Sequence, residues 1–167
     1  MILETAQNPS NIYNVCIIAH VDHGKTSLTD CLISSNNIIS KKLQGKMLYM
    51  DFREDEQERL ITMKSSSISL VTPLKAFPDS HWRLVNIIDS PGHMDFEFEV
   101  VGGLRISDGA ILVVDVVEGV SSQTFQLLKR AIEADLEIVL FLNKIDKLFS
   151  LFNLNPERVY EKLLHII

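Results

Sequence analysis

Residues 19 to 26 read Ala19, His20, Val21, Asp22, His23, Gly24, Lys25 and Thr26, directly behind an apolar run that begins at Ile12. A glycine, a lysine and a hydroxyl residue opening a helix behind a strand suit a nucleoside triphosphate. Backbone N–H groups and the positive end of the helix dipole can meet its phosphates. The stretch fits the phosphate-loop pattern except at its first residue, Ala19, where glycine is usual. Gly24 permits close approach of the backbone, Lys25 is placed to reach the β and γ phosphates, and Ser27 to add an α-phosphate contact. The Thr26 hydroxyl suits magnesium, a hard cation that keeps several waters besides one or two protein oxygens. His20 and His23 are spaced as metal ligands can be, but no further Cys or His cluster completes a zinc site.

A second signature, Asn143, Lys144, Ile145 and Asp146, follows the apolar run Ile138 to Leu142. A carboxylate at Asp146 can accept both N–H donors of a guanine edge, where adenine offers an acceptor and no amino group. A site built on such bonds rejects the wrong base by about 10⁴–10⁵, because the mismatch leaves buried polar groups unpaired. Asn143 is expected to pin the loop and touch the base edge, and the Lys144 stem to cover one ring face. Between the two signatures lie Asp89, Ser90, Pro91 and Gly92, again behind an apolar run. Asp89 suits a water-mediated contact to magnesium, and Gly92 an N–H bond to the γ-phosphate. His93 follows, where a side chain can orient an attacking water. Thr62 is the candidate second magnesium ligand, on a loop that one phosphate can order. The preceding stretch from Asp51 to Arg59 mixes both signs of charge and reads equally as a solvated loop or helix face.

The elements that must position these residues follow from periodicity. Ile12 to Ala19, Ala110 to Val117 and Ile138 to Leu142 read as strands buried on both faces. Phe125, Leu128 and Ile132 recur at helical spacing behind Ser121 and Ser122, either of which can cap the helix. Strand, helix, strand implies a parallel crossover. Ser65 to Val71 alternates, with Ile68 and Leu70 on one side and Ser67 and Ser69 on the other; after a turn-rich stretch, Trp82 to Ile88 pairs with it as an antiparallel hairpin. Asn155 and Pro156 start a last helix whose apolar face is Tyr160, Leu163, Leu164 and Ile167. The expected fold is α/β: a P-loop NTPase with a mostly parallel doubly wound sheet, one antiparallel hairpin and helices on both faces.

The 167 residues are enough for one domain with a core, since chains near this size bury about 68–70% of their unfolded surface. Apolar residues make up 46% and no run approaches the roughly 20 needed to span a bilayer, so no membrane association is expected. The polar start, Met1 to Ser10, resembles neither a signal nor a transit peptide, and a cytoplasmic location follows. A net charge of −6 argues against a broad basic face for nucleic acid. Cys16 and Cys31 read as packed thiols, not as a disulfide framework.

With these residues in place, the chain resembles the large translational GTPases of the elongation factor 2 group, over nearly everything from Asn11 onward. The resemblance rests on 19 to 26, Asp55-Glu56-Gln57-Glu58-Arg59, Asp89-Ser90-Pro91-Gly92-His93, Arg105 with Asp108-Gly109, Val114-Asp115, Glu118-Gly119-Val120 and Gln123-Thr124. Within the group it is similar to the branch that matures the large ribosomal subunit: Asp30 to Asn36, Gly45-Lys46, Tyr49-Met50-Asp51, Arg53 to Gln57 and Ile61 to Ser66 favour that branch. The translocase branch usually has Ala-Gly near 36 and 37, Ser at 26 and Ile at 63. The sequence departs from both branches at Met94, Glu97-Phe98 and Val101-Gly102-Gly103.

The resemblance implies GTP and GDP as ligands with magnesium, hydrolysis of GTP by water stimulated on the large ribosomal subunit (rRNA and protein), and release of the anti-association initiation factor alongside the Shwachman-Bodian-Diamond syndrome protein. It also implies a tail over 1–10 and a GTP-binding domain over 11–167, a fragment lacking the Ser-Ala element that completes the guanine pocket. Two rivals stand beside the translocase. One is a nucleotide-responsive module that does not hydrolyse, and the other an ATP-dependent phosphotransferase, against which Asn143 to Asp146 speak.

Overall fold

The computed structural model describes residues 5–36, 62, 64–73 and 82–167. The motifs between 45 and 61 and the turn-rich stretch before Trp82 lie outside the described residues. Five strands form one sheet: β1 (Ile12–Ala19), β2 (Ser66–Pro73), β3 (Trp82–Asp89), β4 (Gly109–Asp115) and β5 (Glu137–Asn143). Their order is β2-β3-β1-β4-β5. The expected hairpin is present, β2 running antiparallel to β3 with Leu70 opposite Val85, while β1 pairs in parallel with both β3 and β4, and β4 with β5.

Alternation along β1 sets the two layers. Cys16 and Ile18 face one side, where they meet Val100 and Leu104 of α2 (Glu97–Arg105) and Leu127 and Ala131 of α3 (Ser122–Glu133). Ile17 and Ala19 face the other, against Ile33 of α1 (Lys25–Ser35). Each fully buried aliphatic side chain contributes about 1.5–3 kcal/mol. Gly103 lets α2 lie close on the sheet: a Cβ there would sit 3.2 Å from the Cys16 sulfur. Two further helices, α4 (Ile145–Ser150) and α5 (Pro156–Leu164), pack Leu148 and Val159 around Val116. Among the described residues no helix is long and apolar enough to cross a membrane.

Several expected faces are displaced. β5 is not buried on both faces: it is the sheet's edge strand, and Val139, Leu140 and Phe141 are exposed while Ile138 and Leu142 reach the core. The first half of β1 is only partly covered, Tyr13 being exposed. In α3 the buried stripe is Thr124, Leu127 and Ala131, with Phe125 and Ile132 outside. Ser121 is the residue that caps it, its hydroxyl accepting the Thr124 N–H at 3.1 Å. In α5 the core contacts come from Val159, Leu163 and Ile166, and Tyr160, Leu164 and Ile167 are exposed. Both shifts are about one residue around the helix, a rotation that pattern alone determines poorly when both faces carry large apolar groups. Cys16 is buried as expected, which pushes its thiol up to about 12, but Cys31 is exposed.

Candidate nucleotide site

The four parallel strands end together, at Ala19, Asp89, Asp115 and Asn143, and the loops leaving them change direction about β1: α1 lies on one face of the sheet, α2 and α3 on the other. The crevice at such a switch point is where open α/β sheets bind ligands.

Gly24, the residue before α1, has φ +93°, a left-handed conformation, and a Cβ there would lie 2.2 Å from the Asn143 side-chain nitrogen. Only glycine fits both conditions without strain. Behind it the Lys25 ammonium donates to Asp89 Oδ1 at 2.7 Å, to Thr62 Oγ1 at 3.1 Å and to Thr26 Oγ1 at 3.3 Å, and the two threonine hydroxyls are 3.2 Å apart. Lys25, Thr62 and Asp89 are buried. Residues 37 positions apart in sequence, Lys25 and Thr62, therefore share one polar cluster with the end of β3. Two hydroxyls and a carboxylate are hard oxygen donors that fit magnesium, which takes its remaining ligands from phosphate and water. Among the described residues no group of three or more His, Cys, Asp or Glu could hold a metal ion.

The 143–146 loop is fastened to the phosphate loop. Asn143 donates its amide to the His23 carbonyl at 2.8 Å, and its own Oδ1 accepts the Lys144 N–H at 2.8 Å. Lys144, at φ +60°, donates to the Asp22 carbonyl and to Asp115 Oδ2, both at 2.6 Å. Burial pushes the Asp115 carboxyl up, but the hydrogen bonds from Lys144 and the Val117 N–H and the charge of Lys144 outweigh it and hold it below its ordinary value. His23 is fully buried; its Nδ1 accepts the Asp115 N–H at 3.2 Å and its Nε2 faces Glu118 at 3.2 Å. Asp146 is exposed in the first turn of α4, and Ser27 is exposed in the first turn of α1. Val21 is half-buried beside Gly92.

Gly92 lies directly on the phosphate loop, where an added Cβ would be 3.2 Å from the Ala19 carbonyl and 3.3 Å from the Val21 nitrogen. Ser90 ties the same loop to β1 by donating to the Ile17 carbonyl at 2.8 Å. His93 is half-exposed and lines a cleft with Glu97, Gln123 and Arg130. Its Nδ1 stands 3.2 Å from the Asp95 N–H and 3.4 Å from the Asp95 carboxylate, so either protonation state has a partner there. Asp115, Glu118, Ser90 and Gln123 were not singled out as site residues from the sequence. They stand only within the motifs that carry the resemblance, where residue type alone does not separate a site role from a packing one.

A phosphate loop at the switch point of a mostly parallel sheet, with an Asn-Lys-x-Asp loop fastened beside it, defines the class of P-loop GTP-binding domains. The chain belongs to the elongation factor Tu GTP binding domain family, a family of GTPases, whose pattern matches residues 10–167. It is 52% identical over 162 residues to mouse elongation factor-like GTPase 1, covering 96% of this chain and 14% of that protein. Ribosome assembly protein 1 of Saccharomyces cerevisiae is 49% identical, over 96% of this chain and 15% of that protein. Elongation factor 2 of Staphylothermus marinus is 43% identical, over 99% of this chain and 22% of that protein. The chain thus spans about one-seventh to one-fifth of the length of these relatives.

Proposed function

We propose that residues 11–167, behind a tail over 1–10, are the GTP-binding and GTP-hydrolysing switch domain of a cytoplasmic, ribosome-associated factor in large-subunit biogenesis. The observation that carries the reading is the convergence of Lys25, Thr26, Thr62 and Asp89 beside the fastened 143–146 loop. In this reading residues 19 to 27 cradle the phosphates, with Lys25 turning its ammonium to the β and γ oxygens. Asn143, Lys144 and Asp146 hold the base. Thr26, Thr62 and Asp89 hold magnesium, Asp89 through water. Bound magnesium neutralises charge that develops on the phosphates during transfer. Gly92 offers its N–H to the γ-phosphate, and His93, swung from Asp95, orients the attacking water. Intrinsic turnover of related switches is roughly 10⁻⁴ to 10⁻² s⁻¹, and a partner can raise it by up to about 10⁵-fold.

What supports the maturation branch over the translocase is the higher identity, 52% and 49% against 43%. On that branch the large ribosomal subunit is the stimulating partner, and the output is release of the anti-association initiation factor together with the Shwachman-Bodian-Diamond syndrome protein. The test is GTP turnover of the chain with and without large ribosomal subunits, for wild type and His93→Ala. The variant is expected to lose at least about a hundredfold in turnover while GDP affinity holds; unchanged turnover would remove His93 from the reaction.

A further inference from the structure

Gln123, on the first turn of α3, belongs to neither nucleotide loop, yet it touches both. Its Nε2 donates to the Gly92 carbonyl at 2.6 Å, and its Oε1 is hydrogen-bonded to His20 Nδ1 in the phosphate loop. A carbonyl oxygen can only accept, so the amide must turn its NH₂ towards Gly92 and its oxygen towards His20. An amide oxygen also only accepts, so His20 must carry a proton on Nδ1. One side chain thus fixes the tautomer of His20 and the plane of a peptide in the γ-phosphate loop.

That peptide is the one joining Gly92 to His93, because the Gly92 carbonyl and the His93 N–H share it. Its orientation sets the direction in which the His93 side chain leaves the backbone. The polar contacts of the His93 side chain among the described residues, both to Asp95, are local and partly exposed, and its carbonyl accepts the Phe96 N–H at 3.1 Å. Gly92 itself is pressed against Ala19 and Val21, so the loop has little freedom to translate there, whereas rotation of the following peptide is opposed by the Gln123 bond. α3 is a fixed base for that bond: Thr124, Leu127 and Ala131 are buried against the sheet, and Ser121 caps its start.

We infer that Gln123 is a positioning residue for hydrolysis, acting through the Gly92–His93 peptide to aim His93 and registering that loop against the phosphate loop through His20. The inference rests on the reading of His93 given above. It sorts substitutions by which half of the amide they keep. Gln123→Met fills the same space with neither bond. Gln123→Glu keeps an acceptor for His20 and loses the donor to Gly92. Loss of aim at a reacting centre costs up to about a hundredfold in rate with binding little changed.

The experiment uses the chain as it stands, with ¹⁵N NMR of the His20 ring and the His93 amide, GDP titration, and single-turnover hydrolysis at saturating GTP. In wild type the His20 proton is expected on Nδ1. Gln123→Met should release that tautomer and shift the His93 amide. Gln123→Glu should retain the tautomer yet shift the His93 amide equally. Both variants should lose about ten- to a hundredfold in single-turnover rate, with GDP affinity within about twofold of wild type. An unmoved His93 amide, a wild-type rate in Gln123→Glu, or a parallel loss of GDP affinity would each overturn the proposal. A His93→Ala chain that hydrolyses GTP as fast as wild type would instead overturn the catalytic reading of His93, and the two NMR signals would still report whether Gln123 orients the loop.

Discussion

The two halves of the candidate site are held in different ways. Around Gly24 and Asn143 the loops are locked to one another by buried or half-buried bonds, Asn143 to His23, Lys144 to Asp115 and His23 to Asp115, with a more exposed one from Lys144 to the Asp22 carbonyl. From His93 through the first turn of α2 the polar attachments are wetter, although Val100 and Leu104 further along anchor that helix in the core. Phe98 is 93% exposed, and Glu97 reaches Arg130 of α3 at 2.7 Å with both side chains about half in solvent. The lesson is a contrast between a preorganised frame of interlocked loops and a segment whose polar contacts are weak enough to be exchanged. Segments that respond to a ligand are drawn from the low-stability end of a fold.

Substituting the frame should be costly. Gly24→Ala forces a side chain into the left-handed region and into the Asn143 amide, which cannot withdraw without giving up its bond to the His23 carbonyl. A loss of about 2–4 kcal/mol in urea unfolding is expected. A loss below about 0.5 kcal/mol would show that the frame yields easily and that the contrast with α2 is false.

A middle-sized effect concerns Asp115. Its folded carboxyl sits below the ordinary value, so the stability it gives is fully present above the unfolded value of about 3.9 and fades as pH falls through the lower folded one. The stability gap between wild type and Asp115→Asn should therefore be flat near neutrality and close below about pH 4. A gap that stays open well below pH 4 would show that the Asp115 carboxylate is not what the substitution removes. The smallest effect is expected at Arg130→Ala, less than about 1 kcal/mol, because an ion pair this exposed is screened by water. A larger loss would mean that α2 is as firmly held as the phosphate loop.

Much of this was legible beforehand, for identifiable reasons. The strand, loop and helix at 12 to 35 announce themselves because apolar content, glycine and lysine fall at fixed offsets. The hairpin of β2 and β3 was readable from period-two alternation, and Asn155-Pro156 marked the start of α5, with Asn155 accepting the Arg158 N–H at 3.0 Å. The facing of α3 and α5 was not readable, since Phe125 and Tyr160 are apolar yet lie outside. Nor was the exposure of β5, because an edge strand differs from a central one only in its neighbours. In the candidate site, the residues proposed to contact the nucleotide stand in loop motifs, whereas Asp115 and Gln123 meet protein groups about 30 residues or more away, a separation that no local pattern encodes.

The central claim is that the 143–146 loop, fastened to the phosphate loop, makes a guanine-selective pocket. The most direct test is titration of the chain with fluorescent GDP and GTP analogues in magnesium, with ATP as competitor, for wild type and Asp146→Asn. Binding that ATP does not displace, and that weakens by about 10⁴-fold in the variant, is the predicted result. Displacement by equimolar ATP, or an unchanged affinity in Asp146→Asn, would contradict it.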